Sequence, residues 1–256
     1  MKCRRLISSL ALAVTLTACS RHAVSPTDPT PAVPLAQTLE SASYVFRFST
    51  GDTVDPVWQQ VYYEWAVAAL DVRVPQRVAY NKYQSRSQMG DLTGHYDTNG
   101  YAEPAAFTVH TIWPIDNHEV IHVYSALFGS PVALFNEGLA VAHQTDPARG
   151  DLTPRWNGVD LHDWAKTFRR QGALVPLDRL LASADFRRVD PNVTYPESGS
   201  FVRFVLERYG LDRVKQFFRT GSPSDPPESV RQQFQTVYGR SIADVEHDWW
   251  AMIDAR

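Results

Sequence analysis

The chain has 256 residues, of which 44% are hydrophobic and 21% charged, with a formal net charge of −3. That balance suits one globular domain, or at most two, with a real core, and it excludes a disordered acidic or basic chain. No basic stripe or Arg-rich arm appears, so nucleic acid is excluded as a partner.

The first residues read as a processing segment. "MKCRR" (1–5) is a positive stretch, and "LISSLALAVTLTA" (6–18) is a short apolar run ending in small residues. This is the pattern of a secretory signal peptide, too short for a comfortable transmembrane helix. "LTAC", Leu16 to Cys19, resembles the lipobox of bacterial lipoproteins. That resemblance implies cleavage after residue 18, lipidation of Cys19 and anchorage in the cell envelope. Ser20 is not the aspartate that holds many such proteins at the inner membrane, so the expected site is the outer membrane, facing the periplasm. Removal of 1–18 takes away Lys2, Arg4, Arg5 and Cys3. With Cys19 modified, the mature fold has no thiol for catalysis, metal binding or a disulfide.

Residues 19–43 carry Pro26, Pro29, Pro31 and Pro34 among Ser, Thr and Ala, which predicts an extended tether, with His22 solvated in it. The folded domain is expected over 44–256. "SYVFRFST" (43–50) alternates as a strand does. "DPVWQQVYYEWAVAALDV" (55–72) has helical spacing, with Asp55 as N-cap and Pro56 at the first helical position. "QRVAYNKY" (76–83) predicts a second strand. The Gly-, Asn- and Asp-rich stretch 87–104 predicts a loop with room for one helical turn. "AAFTVHTIW" (105–113) predicts a third strand, stopped by Pro114.

Two helices should follow, over 116–128 and 132–144, separated by "GSP". Beyond them the segments "LHDWAKTFRRQG", "PLDRLLAS", "GSFVRFVLERYG", "LDRVKQFFRTG", "PPESVRQQFQTVYG" and "SIADVEHDWWAMI" each read as an amphipathic helix, most of them punctuated by Gly or Pro. Strands first and helices later predict an α+β fold with a small N-terminal mixed sheet and a largely helical C-terminal half.

The chemistry concentrates in 117–144. His118 and His122 are four apart, so a helix puts both on one face, one turn apart, where two imidazoles can converge on one ion. Glu119 stands beside them as the general base of an H-E-x-x-H arrangement. A structural alternative gives Glu119 to a capping box with Asp116. A catalytic zinc needs a third protein ligand and an open position. Glu137, early in the second helix, fits; His143, six residues on, points about 240° around that helix. Small Gly138 and Ala140 would let the two helices approach closely. His110 reads as structural, and His95, His162 and His247 as surface residues or supports of the site.

"HEVIH" followed by "PVALFNEGLA" resembles the gluzincin metallopeptidases, in particular a small bacterial group with a peptidase MA-like domain. "TYPESGSFVRFVLERYGLDRVKQFFRTG" (194–221) is similar to that group's downstream helix, and "YGRSIADVEHDWW" (238–250) to its last one. The likeness spans most of 44–253. It implies a thermolysin-like fold, one Zn²⁺ held by His118, His122 and Glu137, Glu119 as base, and a peptide or protein substrate. Such enzymes often add a Tyr or His that stabilises the oxyanion, and Tyr195 is the candidate. The resemblance also puts the strand 105–113 beside the cleft, paired with an extended substrate. The aminopeptidase branch carries Gly-x-Met-Glu-Asn; "GYAEPAAF" (100–107) lacks that pattern, which leaves endopeptidase action as the default. The competing expectation is a catalytically inactive envelope lipoprotein that keeps the fold as a binding module.

Overall fold

The computed structural model describes residues 33–256, so the signal segment, Cys19 and His22 lie outside the described residues. A five-stranded sheet comes first. Its strands are β1 (Gln37–Glu40), β2 (Tyr44–Phe48), β3 (Val78–Lys82), β4 (Gly100–Glu103) and β5 (Thr108–Thr111). The order is β1-β2-β3-β5-β4: β2, β3 and β5 run parallel in the middle, with β1 and β4 antiparallel on the edges. Helix α1 (Pro56–Ala69) makes the one crossover between parallel neighbours β2 and β3. It starts where its sequence says: the Asp55 side chain accepts from Trp58 N, and Pro56 needs no partner at N1.

Three expectations fail here. The tether expected over 19–43 does not run to 43, because Gln37–Glu40 pairs along β2 as an exposed edge strand. Polar residues hid it, yet an edge strand needs only a neighbour's backbone to bond. Likewise the loop expected over 87–104 contains helix α2 (Arg86–Thr93) and β4. Ser85 caps α2 through Gln88 N, and Gly94 ends it at φ 84°. The strand expected over 105–113 shrinks to Thr108–Thr111, because Pro104–Ala106 forms a 3₁₀ turn and Phe107 takes φ 49°.

Alternation puts Tyr44, Phe46, Tyr80 and Val109 on one face of the sheet, all fully buried. Helices α1 and α3 (Asn117–Ser125) cover that face, and the Tyr44 and Tyr124 hydroxyls meet between them. After α3 come α4 (Ala133–Ala142), a short hairpin of β6 (Arg155–Trp156) and β7 (Val159–Asp160), and α5 (Leu161–Gln171). A 3₁₀ turn at Leu177–Leu180 and α6 (Ser183–Phe186) replace the single helix expected at "PLDRLLAS". Then follow α7 (Pro191–Tyr209), α8 (Leu211–Thr220), α9 (Pro227–Tyr238) and α10 (Ile242–Ala255). The result is α+β, sheet first and helices after. Among the described residues no helix is long and apolar enough to cross a membrane.

Phe135 of α4 packs among the C-terminal helices. It lies 4.5 Å from Phe217 and 5.9 Å from Phe234 by ring centroids, within a core that also holds Phe201 and Trp249. Burying one such ring contributes about 1.5–3 kcal/mol.

Gly138 has a different task from the one expected. A Cβ there would lie 2.6 Å from Val202 Cγ2 and 2.7 Å from Ser198 O. Its small size therefore lets α4 meet α7, not α3. Gly138→Ala is expected to cost about 1–3 kcal/mol by overpacking, read as a lower midpoint of urea unfolding. A midpoint equal to wild type would mean that α7 yields without cost.

Two buried carboxyls fasten the segment after α5. Glu197 of α7 accepts from Val175 N at 3.1 Å, and Glu246 of α10 accepts from Leu177 N at 2.9 Å. Burial pushes the Glu197 carboxyl from its ordinary 4.5 up to about 8, against the pull of the Val175 N–H, and pushes Glu246 the same way. A carboxyl raised on folding binds more protons in the native state, so its contribution to stability is full below about pH 4.5 and is lost as pH climbs to about 8. The Glu197 shift corresponds to at most about 5 kcal/mol. Glu197→Gln should flatten the fall: its urea midpoint should change less between pH 5 and pH 8.5 than that of wild type. Equal slopes would remove Glu197 as the cause.

Candidate metal centre

Helix α3 begins at Asp116, whose carboxylate accepts from His118 N at 3.1 Å and Glu119 N at 3.0 Å. Asp116 thus caps the helix without help. The Glu119 side chain makes no return bond to Asp116 among the described residues, so the capping-box alternative does not hold. With the cap fixed, His118 and His122 lie one above the other on one face.

The turn after α3 brings α4 back beside them. Gly129 sits at φ 139° in that turn, where a Cβ would lie 2.1 Å from Phe218 O. Glu137, on the fifth residue of α4, then points at both imidazoles. His118 Nε2 lies 3.1 Å from Glu137 Oε2, His122 Nε2 lies 3.2 Å from the same oxygen, and the two Nε2 atoms are 3.2 Å apart. These three residues can hold a metal ion.

The triangle tests that statement. Zinc bonds of about 2.0–2.1 Å in a tetrahedron put ligand atoms about 3.3–3.4 Å apart, within a few tenths of an ångström of all three edges. Protons satisfy the triangle less well. One proton leaves a lone pair facing a lone pair on some edge, and a proton on each imidazole sets two N–H groups against each other. A cation satisfies all three edges together. The donor set of two imidazoles and one carboxylate suits zinc, with a fourth position open.

Charge follows the same geometry. Burial opposes the His122 cation, but Glu137 outweighs it and raises His122 to about 9. Burial also opposes the Glu137 carboxylate, and the two imidazoles hold it well below its ordinary range. Glu119 has no such partner at bonding distance. Burial pushes its carboxyl up to about 7, while His118 pulls the other way.

The structure brings Tyr195 to this group. It lies in the second turn of α7, whose start at Pro191 is earlier than the sequence suggested. Its ring stacks on His118 at 5.7 Å and is flanked by Trp156 at 5.6 Å and Phe186 at 5.8 Å. Burial and the Glu137 charge raise its pKa, so the phenol keeps its proton across the neutral range.

No protein-family model matches the chain, and no curated protein matches it either.

The other histidines stand apart from the donor triangle. His143 Nδ1 meets its own helix at Leu139 O, 2.8 Å, and the ring packs on Trp65. His110 meets the Tyr83 hydroxyl at 2.7 Å and stacks on Tyr101. His95 and His247 are exposed. His162, expected at the surface or in support of the site, is fully buried between α5 and α7, with Nδ1 2.8 Å from Ser200 Oγ. It ties helices together because Ser200 also accepts from Trp249 Nε1.

The strand expected beside the cleft also changes. β5 is paired on both sides, with β3 and with β4, so it has no edge to offer. β4 is the edge strand on that side of the sheet, and it runs against α3: a Cβ on Gly100 would lie 3.1 Å from Glu119 Cγ.

Two residues near the triangle escaped the sequence reading. Gln144 lies 3.3 Å from His118 Nδ1 and so orients the ring from behind. It lies just past the His143 cap of α4, outside the helix, so the helical period did not point to it. Arg187 Nη2 lies 3.7 Å from Glu137 Oε1. It comes from the end of α6, and no local pattern links it to α4. Asn117, Gln144 and Trp156 also line a cleft of about 500 Å³, whose lining includes none of His118, His122 and Glu137.

Proposed function

We propose that the chain is a zinc-dependent peptide hydrolase of thermolysin-like design, anchored to the bacterial envelope through a lipid on Cys19. The observation that carries the catalytic part is the donor triangle of His118, His122 and Glu137, with edges of 3.1–3.2 Å. The anchor is supported by the "LTAC" stretch before Ser20.

When bound, zinc supplies Lewis acidity, bringing the pKa of water towards neutrality and polarising a carbonyl. The protein's own groups do the rest. Glu119 takes the proton of the attacking water and gives it to the departing amine. Tyr195 keeps its proton and can donate it in a hydrogen bond to the oxygen that gains charge. The edge strand β4 beside Glu119 supports an extended peptide by strand addition. The Gly-x-Met-Glu-Asn pattern is not in that edge, so aminopeptidase action has no support and endopeptidase action stands as the default.

The test is hydrolysis of a quenched fluorescent peptide library by the zinc-loaded protein, before and after chelation. Activity that is lost to the chelator and restored by zinc supports the reading. Zinc bound stoichiometrically with no hydrolysis of any peptide would overturn it in favour of a binding module.

A further inference from the structure

Arg187 stands beside the triangle with nothing to do there. Its Nη2 atom is 3.7 Å from Glu137 Oε1, the oxygen turned away from the imidazoles. That distance is too long for a hydrogen bond. Among the described residues the guanidinium donates to no acceptor, although it has five N–H groups to give. Its side chain is 63% exposed, whereas Glu137 is buried. The neighbouring Arg188 is already spent on Asp185 at 2.6 Å.

Neutralising Glu137 is not what keeps Arg187 in place. Both imidazoles already face that carboxylate, and a divalent ion would add two positive charges. Two neutral imidazoles, Glu137, an ionised Glu119, the ion and Arg187 then sum to one net positive charge. A cation held beside another cation is unfavourable until an anion joins them. The backbone of Arg187 is meanwhile well fixed: it caps α6 directly after Phe186, which is buried and packs against Tyr195. A rigid base with a free, forked head is the design of a carboxylate clamp.

We propose that Arg187 anchors a substrate carboxylate next to the scissile bond, so that the site selects peptides carrying an acidic side chain or a free C-terminus at that place. The inference rests on the peptidase reading above. Its substrate class is narrower: an anionic group within one side chain's reach of the metal.

The test measures binding of three N-acetylated peptides to the zinc-loaded full-length Glu119→Gln protein by calorimetry. One peptide ends in a free carboxylate, one is the same sequence amidated, and one is amidated but carries a glutamate at the last position. Each is measured again after adding Arg187→Met or Arg187→Lys. A carboxylate peptide should bind about tenfold or more tightly than the neutral one. The gain should vanish with Met and partly return with Lys. Which of the two anionic peptides shows it tells a C-terminal from a side-chain carboxylate. Equal affinities for anionic and neutral peptides, or a preference that survives Arg187→Met with zinc content unchanged, would overturn the anchor alone. If no peptide binds and the parent protein cleaves none, the peptidase reading falls and takes the anchor with it.

Discussion

His122→Ala is expected to lower the zinc content of the purified protein from about one ion per chain to near zero, and His118→Ala and Glu137→Ala should do the same. Each of the three side chains supplies one corner of a triangle whose edges are 3.1–3.2 Å. Zinc held by protein ligands is bound with on the order of 10 kcal/mol or more. Losing one of three ligands should therefore weaken binding about 10²- to 10⁴-fold. Glu137 has a second reason to matter. It is the only carboxylate of the three, so without it the ion loses the one negative charge among its ligands. His143→Ala and His110→Ala serve as controls, because both rings are bonded elsewhere, to Leu139 O and to Tyr83. Elemental analysis of the five variants decides the matter. Wild-type zinc in His122→Ala, or equal zinc loss in His143→Ala, would show that the triangle is not the binding site.

Glu119→Gln should lower kcat/KM for peptide hydrolysis by about 10³-fold or more while leaving the bound zinc in place. The amide keeps the size of the carboxyl and loses its ability to accept the proton, and general-base catalysis is worth about 10²- to 10⁴-fold. Tyr195→Phe should cost less, about 10²-fold, because it removes one donor to the developing charge. The pH profile adds an independent reading. Glu119 works as a base only when ionised, so kcat/KM must rise with pH through its pKa. That value is about 7 without an ion. The positive charge of zinc favours the carboxylate, so the rising limb of the loaded protein should lie below 7. Steady-state kinetics from pH 5 to 9 measure it. Equal rates in Glu119→Gln and wild type, with zinc in both, would mean that another group is the base.

The local part of this protein was legible in its residues. Asp55 with Pro56, and Asp116 before "NHEVIH", announced the starts of α1 and α3, because a cap is satisfied by its own next three residues. The four-residue spacing of His118 and His122 put them on one face for the same local reason. Glu137 followed from the period of α4 and the break before it. Even the segment that stayed dark, 87–104, hid its helix behind polar residues but still showed Ser85 and Gly94 at its ends.

What the tertiary structure alone decided is everything that depends on neighbours distant in sequence. Whether Gln37–Glu40 or Gly100–Glu103 became strands depended on which backbone lay beside them, since an edge strand needs a partner and no pattern of its own. Gly138 turned out to seat α7 and not α3, and β5 proved to be enclosed while β4 holds the edge. The histidine pair was written in one helix, so spacing fixed it. Tyr195 and Arg187 reach the same few ångströms from α7 and α6, and only the packing of Phe186, Trp156 and His118 around one ring puts them there.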